Sequence, residues 1–190
     1  MKRPQRNLLL FVFILCIPLI ADKLGVQKYA LVFSSSMVIL ILVIGLLGKD
    51  YFIARYKTKQ RDWEGAINRY QKFETFLTRL RIGNFYIPVC YSLYTYNGFA
   101  LVKNNIAHIL MNTQELQGAK QLLLEALELD KLYALPHVNL AVIAAIEGNA
   151  DEALREADLA KQLGFRGKGL QPLIRKILAT TNETVGKVLS

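Results

Sequence analysis

The sequence predicts an all-α protein: two N-terminal transmembrane helices, then a short stack of helix pairs with a C-terminal capping helix. Three observations carry this reading. Residues 8–21 and 29–48 contain no charged side chain. Residues 100–133 and 134–167 match when one is shifted by 34 positions. Apolar residues recur at helical spacing through 170–189.

The net charge of +9 is unevenly placed. Residues 1–81 hold 14 Lys and Arg against 5 Asp and Glu, whereas residues 82–165 hold 5 against 9. Basic side chains therefore crowd the apolar segments. That suits orientation in a membrane and not a continuous basic track along a phosphate backbone, so no nucleic-acid partner is expected. Cys16 and Cys90 form no disulfide framework and no metal-ligand spacing.

The run 29–48 is twenty residues long, enough to cross ~30 Å of hydrocarbon at ~1.5 Å per residue. The run 8–21 is shorter and follows Lys2, Arg3 and Arg6, the pattern of a secretory leader. It lacks a small-x-small cleavage site, and a second apolar run begins seven residues later, which favours a retained helix hairpin over residues 1–48. Both outer flanks are more basic than the turn with Lys23 and Lys28, so both termini are expected on the cytoplasmic side of a bacterial inner membrane. Ser34, Ser35 and Ser36 suit either close helix approach or bonds to their own backbone. The absence of ionisable groups from both runs points to anchoring and not to conduction.

Residues 49–61, with Lys49, Arg55, Lys57, Lys59 and Arg61, read as a basic juxtamembrane linker. The helical domain is expected over 62–190. Residues 62–80 read as a partial repeat, with Trp63, Ala66, Tyr70 and Phe73 phased like the second helix of a pair. An aromatic insertion follows at 81–99, in which Asn97-Gly98 is a hairpin-turn dipeptide. Its Phe85, Tyr86, Tyr91, Tyr94 and Tyr96 either pack as core or lie at a membrane or partner interface.

In the two full repeats, 100–133 and 134–167, Ala107 aligns with Ala141, Ala119 with Ala153, Leu123 with Ala157 and Ala126 with Ala160. Each copy reads as two amphipathic helices joined by a turn, and residues 170–189 as the helix that caps the last pair. The period and these positions resemble the tetratricopeptide repeat, whose pattern places small residues where the two helices approach. The aromatic positions depart from it: His137 stands where Trp is common and Ala144 where Tyr is common. Lys131 and Phe165 replace the closing Pro.

The resemblance implies a protein-binding groove lined by the first helix of each repeat. The groove positions are Leu101, Asn104, Asn105, His108 and Asn112 in one copy, and Val138, Asn139 and Val142 in the next. Either these residues hold an extended peptide through their amides, or they are plain surface. No catalytic or nucleotide-binding motif occurs, and the carboxylate pair Asp151-Glu152 opens a helix, where it favours the dipole. The expectation is a membrane-anchored scaffold or adaptor, not an enzyme, with no cofactor, metal or small-molecule substrate. Its partners are other subunits of a membrane complex and the lipid bilayer. The alternative is a structural accessory subunit that assembles mainly through its transmembrane hairpin.

Overall fold

The computed structural model describes residues 35–36, 38–39, 46–81 and 94–189, with side chains as far as Thr181. The described residues from Lys49 onward form seven helices and no strand: α1 (Lys49–Lys59), α2 (Trp63–Leu80), α3 (Gly98–Asn112), α4 (Leu116–Leu129), α5 (Ala134–Ile146), α6 (Ala150–Gln162) and α7 (Leu170–Leu189). The all-α expectation holds for them. Among the described residues no helix is long and apolar enough to cross a membrane. The runs 8–21 and 29–48 lie almost wholly outside the described residues, as do Phe85, Tyr86 and Tyr91.

The most extensive contacts join α1 to α2, α3 to α4 and α5 to α6, and each pair then packs on the next. Three turns close these pairs in the same way. Arg61, Gln114 and Gly148 occupy one repeat position, 53 and then 34 residues apart, and all have positive φ, at 60°, 66° and 78°. The following amide donates back across the turn in each case. Asp62 N–H bonds Lys57 O at 3.0 Å, Glu115 N–H bonds Leu110 O at 2.8 Å, and Asn149 N–H bonds Ala144 O at 2.8 Å. This is the left-handed helix ending that satisfies terminal carbonyls, and only the third copy uses the glycine it favours.

Three helix starts are capped by polar side chains. Asp62 accepts from Gly65 N–H, Asn97 from Ala100 N–H and Asn149 from Glu152 N–H. Asn97-Gly98 therefore opens α3 and does not close a hairpin. The cap is supported from behind: Thr95 Oγ1 donates to Asp130 at 2.5 Å, and Asn97 Nδ2 donates to Leu129 O at 3.3 Å. The bonds at both residues tie the end of the insertion to the end of α4.

Alanine sets the distance within every pair. Ala54 and Ala66, Ala107 and Ala119, and Ala141 and Ala153 are each twelve residues apart, each 0 % exposed, and each pair shares one core cluster. Larger residues fill the seams between successive pairs. Val102 and Ile109 of α3 bury with Tyr51, Tyr70 and Phe73. Leu140 and Ile143 of α5 bury with Leu123. Ile174 and Leu170 of α7 cover Ala144, Ala145 and Ala157, while Leu173, expected on this apolar face, is exposed. The core is thus a row of nearest-neighbour contacts.

One domain boundary changes. Residues 49–59, expected to be a linker, form α1, the first helix of a complete pair, with Tyr51 and Ala54 buried. The basic side chains that suggested a linker sit on the outer faces. Two of the polar side chains are paired: Asp50 accepts from Arg69 Nη1 at 2.7 Å, and Lys57 bonds Asp62. The segment 62–80 is accordingly the second half of a full pair.

Candidate protein-binding face

The expected groove residues divide into three groups. Leu101 is 3 % exposed and buries in the cluster of Tyr51 and Tyr70. Asn104 is 4 % exposed, and its Oδ1 accepts from Asn139 Nδ2 at 3.0 Å. Both are therefore corrections to the groove: they hold α3 against its neighbours and are withdrawn from any partner. The sequence projection placed both on the groove by repeat position, with only a partial repeat, residues 62–80, upstream of α3. The first pair covers Leu101, and α5 supplies the amide that satisfies Asn104. Val138 is half-buried against the α6–α7 cluster and faces the cap.

The remaining five form a polar strip. Asn105, Asn139 and Val142 are half-buried, and His108 and Asn112 are exposed. Asn112 Nδ2 donates to His108 O at 2.7 Å and lies 3.5 Å from His108 Nε2, so these two side chains are held together one turn apart. Desolvation by the surrounding protein pushes the His108 pKa down, although part of the ring is exposed. Asn105 Nδ2 is buried and has no acceptor among the described residues. An amide donor left in this state costs stability and is relieved by an incoming carbonyl.

The strip extends onto α1. Phe52, Arg55 and Lys59 occupy the repeat positions of Asn105, His108 and Asn112, 53 residues earlier. Phe52 is 39 % exposed, and Arg55 and Lys59 are also exposed. Asn139, Val142 and Ile146 hold the same three positions on α5. The face thus runs from an aromatic and two cations, through amides and an imidazole, to an apolar edge. Sequence reasoning missed the α1 portion, although the twelve-residue interval from Ala54 to Ala66 marks it.

Polar contacts within each pair fix the first helices. His137 Nδ1 lies 2.7 Å from Glu156 Oε2, with Glu156 8 % exposed. Asp50–Arg69 spans the same sequence separation of 19. Lys103 Nζ donates to Glu125 at 2.6 Å, and this bond holds the Glu125 carboxyl below its ordinary pKa. In all three pairs, the position where the tetratricopeptide pattern favours Trp is taken by a charged or imidazole side chain bonded to the second helix.

The two described members of the aromatic insertion are half-buried. The Tyr94 ring lies 6.2 Å from that of Phe165 and packs beside Tyr133 and Leu135, in the seam between the second and third pairs. Among the described residues no group of His, Cys, Asp or Glu is arranged to hold a metal ion. No family model matches the sequence, and neither a curated protein nor a solved structure matches it.

Proposed function

We propose that this chain is a membrane-anchored, tetratricopeptide-like scaffold or adaptor that positions a protein partner within a membrane complex. Its repeats and both termini lie on the cytoplasmic side of a bacterial inner membrane in this reading. The observation that carries it is the strip shared by α1, α3 and α5. Neighbouring positions on these helices bury against the stack, while Arg55, His108 and Asn112 stay exposed and Asn105 keeps an unmet amide donor. An extended segment of a partner supplies backbone carbonyls for such amides and carboxylates for the α1 cations. Anchoring raises the local concentration of the module near membrane partners, so a shallow face suffices. The charge-free runs 8–21 and 29–48 support the anchor.

The test is affinity capture of the full chain from mild detergent, beside the variant Asn105→Leu/His108→Ala. The expected result is a stoichiometric membrane-protein partner with the native chain and its loss with the variant at unchanged helicity. Capture of the chain alone in several detergents overturns the proposal. A partner retained by the variant, and retained equally by residues 1–48, selects the accessory-subunit reading instead.

A further inference from the structure

The first pair of the stack has an end face that the other pairs bury. On α3 this face is Val102, Ile106 and Ile109, packed on the first pair. On α5 it is Pro136, Leu140 and Ile143, all buried, the latter two against Leu123 of the second pair. The equivalent residues of α1 are Lys49, Ile53 and Tyr56, and among the described residues no helix pair packs on them. Tyr56 is 64 % exposed and Lys49 is exposed, with Phe52 beside them on the adjacent edge. We propose that this α1 end face rests on an anionic phospholipid headgroup layer, which takes the place of a preceding pair.

Two features commit the occupant to lipid. The first is where the chain goes. Leu46 and Leu47 are helical and exposed, Gly48 is a turn, and α1 begins at Lys49, directly after the charge-free run. If that run spans the bilayer, as the functional reading assumes, Lys49 emerges at the headgroups and α1 has no room to stand far from them. The second is chemistry. A face meant for another copy of this stack would be aliphatic, like Val102–Ile106–Ile109. Here a tyrosine and an isoleucine are rimmed by Lys49, Arg55, Lys59 and Arg61, none of which forms an ion pair among the described residues. Aromatic rings with a polar edge, surrounded by cations, match the interfacial zone of an anionic membrane. Phe52 and Arg55 border both this face and the binding strip, so the bilayer would also fix the direction in which the strip points.

The experiment uses the full chain with Cys16 and Cys90 replaced by Ser, reconstituted in nanodiscs that contain doxyl-labelled lipid. A bimane probe is placed at Ile53→Cys on the end face, at Leu124→Cys on α4, or at Ile39→Cys within the apolar run. The proposal expects quenching at position 53 in discs containing phosphatidylglycerol and weak quenching in pure phosphatidylcholine. Salt at ~1 M, with a screening length of ~3 Å, should reduce it. Lys49→Glu/Lys59→Glu should reduce quenching at position 53 to the level at position 124, with far-UV circular dichroism unchanged. Tyr56→Ser should lower it without abolishing the lipid-charge dependence. If position 39 is quenched and position 53 never exceeds position 124, the anchor stands and the end-face proposal falls. If neither position is quenched, both fall. Disulfide or excimer formation between copies through position 53 also overturns it, in favour of a second copy.

Discussion

Replacing Ala54 with leucine decides whether residues 49–59 are a packed helix or a basic linker. Ala54 is 0 % exposed and shares a cluster with Ala66, Tyr51 and Tyr70, at the closest approach of α1 and α2. Leucine is almost as good a helix former as alanine, so helix propensity contributes little. Its added carbons have no space between two touching helices, and overpacking of this kind costs about 1–3 kcal/mol. For a chain of this size each kcal/mol lowers Tm by roughly 2–4 °C, so Ala54→Leu should lower it by roughly 2–12 °C. Tyr51→Ala, which empties a site only 2 % exposed, should cost roughly 3–5 kcal/mol by analogy with other buried aromatics. Tyr56→Ala, at 64 % exposure, should stay within about 0.5 kcal/mol. The measurement is thermal unfolding of the full chain in detergent, followed by circular dichroism at 222 nm (about one helix signal for the whole stack). An Ala54→Leu protein that melts with the wild type and with Tyr56→Ala refutes the packing of α1 against α2.

The shared turn geometry makes a paired prediction: Gly148→Ala should cost about 1 kcal/mol, whereas Gln114→Gly should gain a few tenths to about 1 kcal/mol. At Gly148 a Cβ would meet only Thr181 Cγ2 at 3.7 Å, so its cost is backbone strain, and urea unfolding reads both variants. Glu156→Ala leaves His137 Nδ1 facing a nearly buried site and should cost about 1–3 kcal/mol, while Glu156→Gln keeps an acceptor and should cost less than about 1 kcal/mol. Chemical denaturation separates them, and equal losses would mean the pair is incidental. His108 should make stability pH-dependent. Its folded pKa lies below the unfolded value of about 6.5, so the unfolded chain takes up the proton first. Stability should therefore fall as pH drops from about 7.5 through that unfolded pKa, and level off below the folded one. The difference between wild type and His108→Gln in unfolding experiments across this range isolates the effect; identical pH profiles would refute it.

The alanine spacing made the second and third pairs legible in the sequence, because a position that must be small in one copy must be small in the next. Ala107–Ala119 and Ala141–Ala153 therefore announce their helices. The first pair obeys the same interval through Ala54 and Ala66, but two things hid it. The insertion displaces it by 19 residues from the 34-residue period, and α1 carries cations on every face except the one formed by Tyr51, Ala54 and Thr58. Composition then reads as a linker although geometry permits a helix. The polar strip was legible at Asn105, His108, Asn112, Asn139 and Val142, which keep some exposure. It was overdrawn at Leu101 and Asn104, because burial of a first helix depends on its neighbours on both sides, one of which had not been recognised. The positive-φ turns at Arg61 and Gln114 left no mark in the sequence, since neither residue is the glycine that signals such a turn.

A repeat built on alanine contacts faces a problem of identity, since the second helix of any pair presents a similar small-residue surface to the first helix of any other. The polar contacts supply what the alanines cannot. The first pair places an acid on its first helix and a base on its second, Asp50 with Arg69. The second pair reverses this, Lys103 with Glu125. If α1 closed on α4, Asp50 would lie within a turn of Glu125; if α3 closed on α2, Lys103 would face Lys72, which holds the repeat position of Glu125. Each correct contact is partly exposed and contributes only about 0.2–1 kcal/mol. Its larger effect is on the difference between right and wrong pairings, because the mismatch replaces two attractions with two repulsions. The departure from the tetratricopeptide pattern at these positions thus has a physical role. An aromatic there would strengthen every pairing alike, whereas the reversed charge order of the first two pairs keeps their helices from exchanging partners.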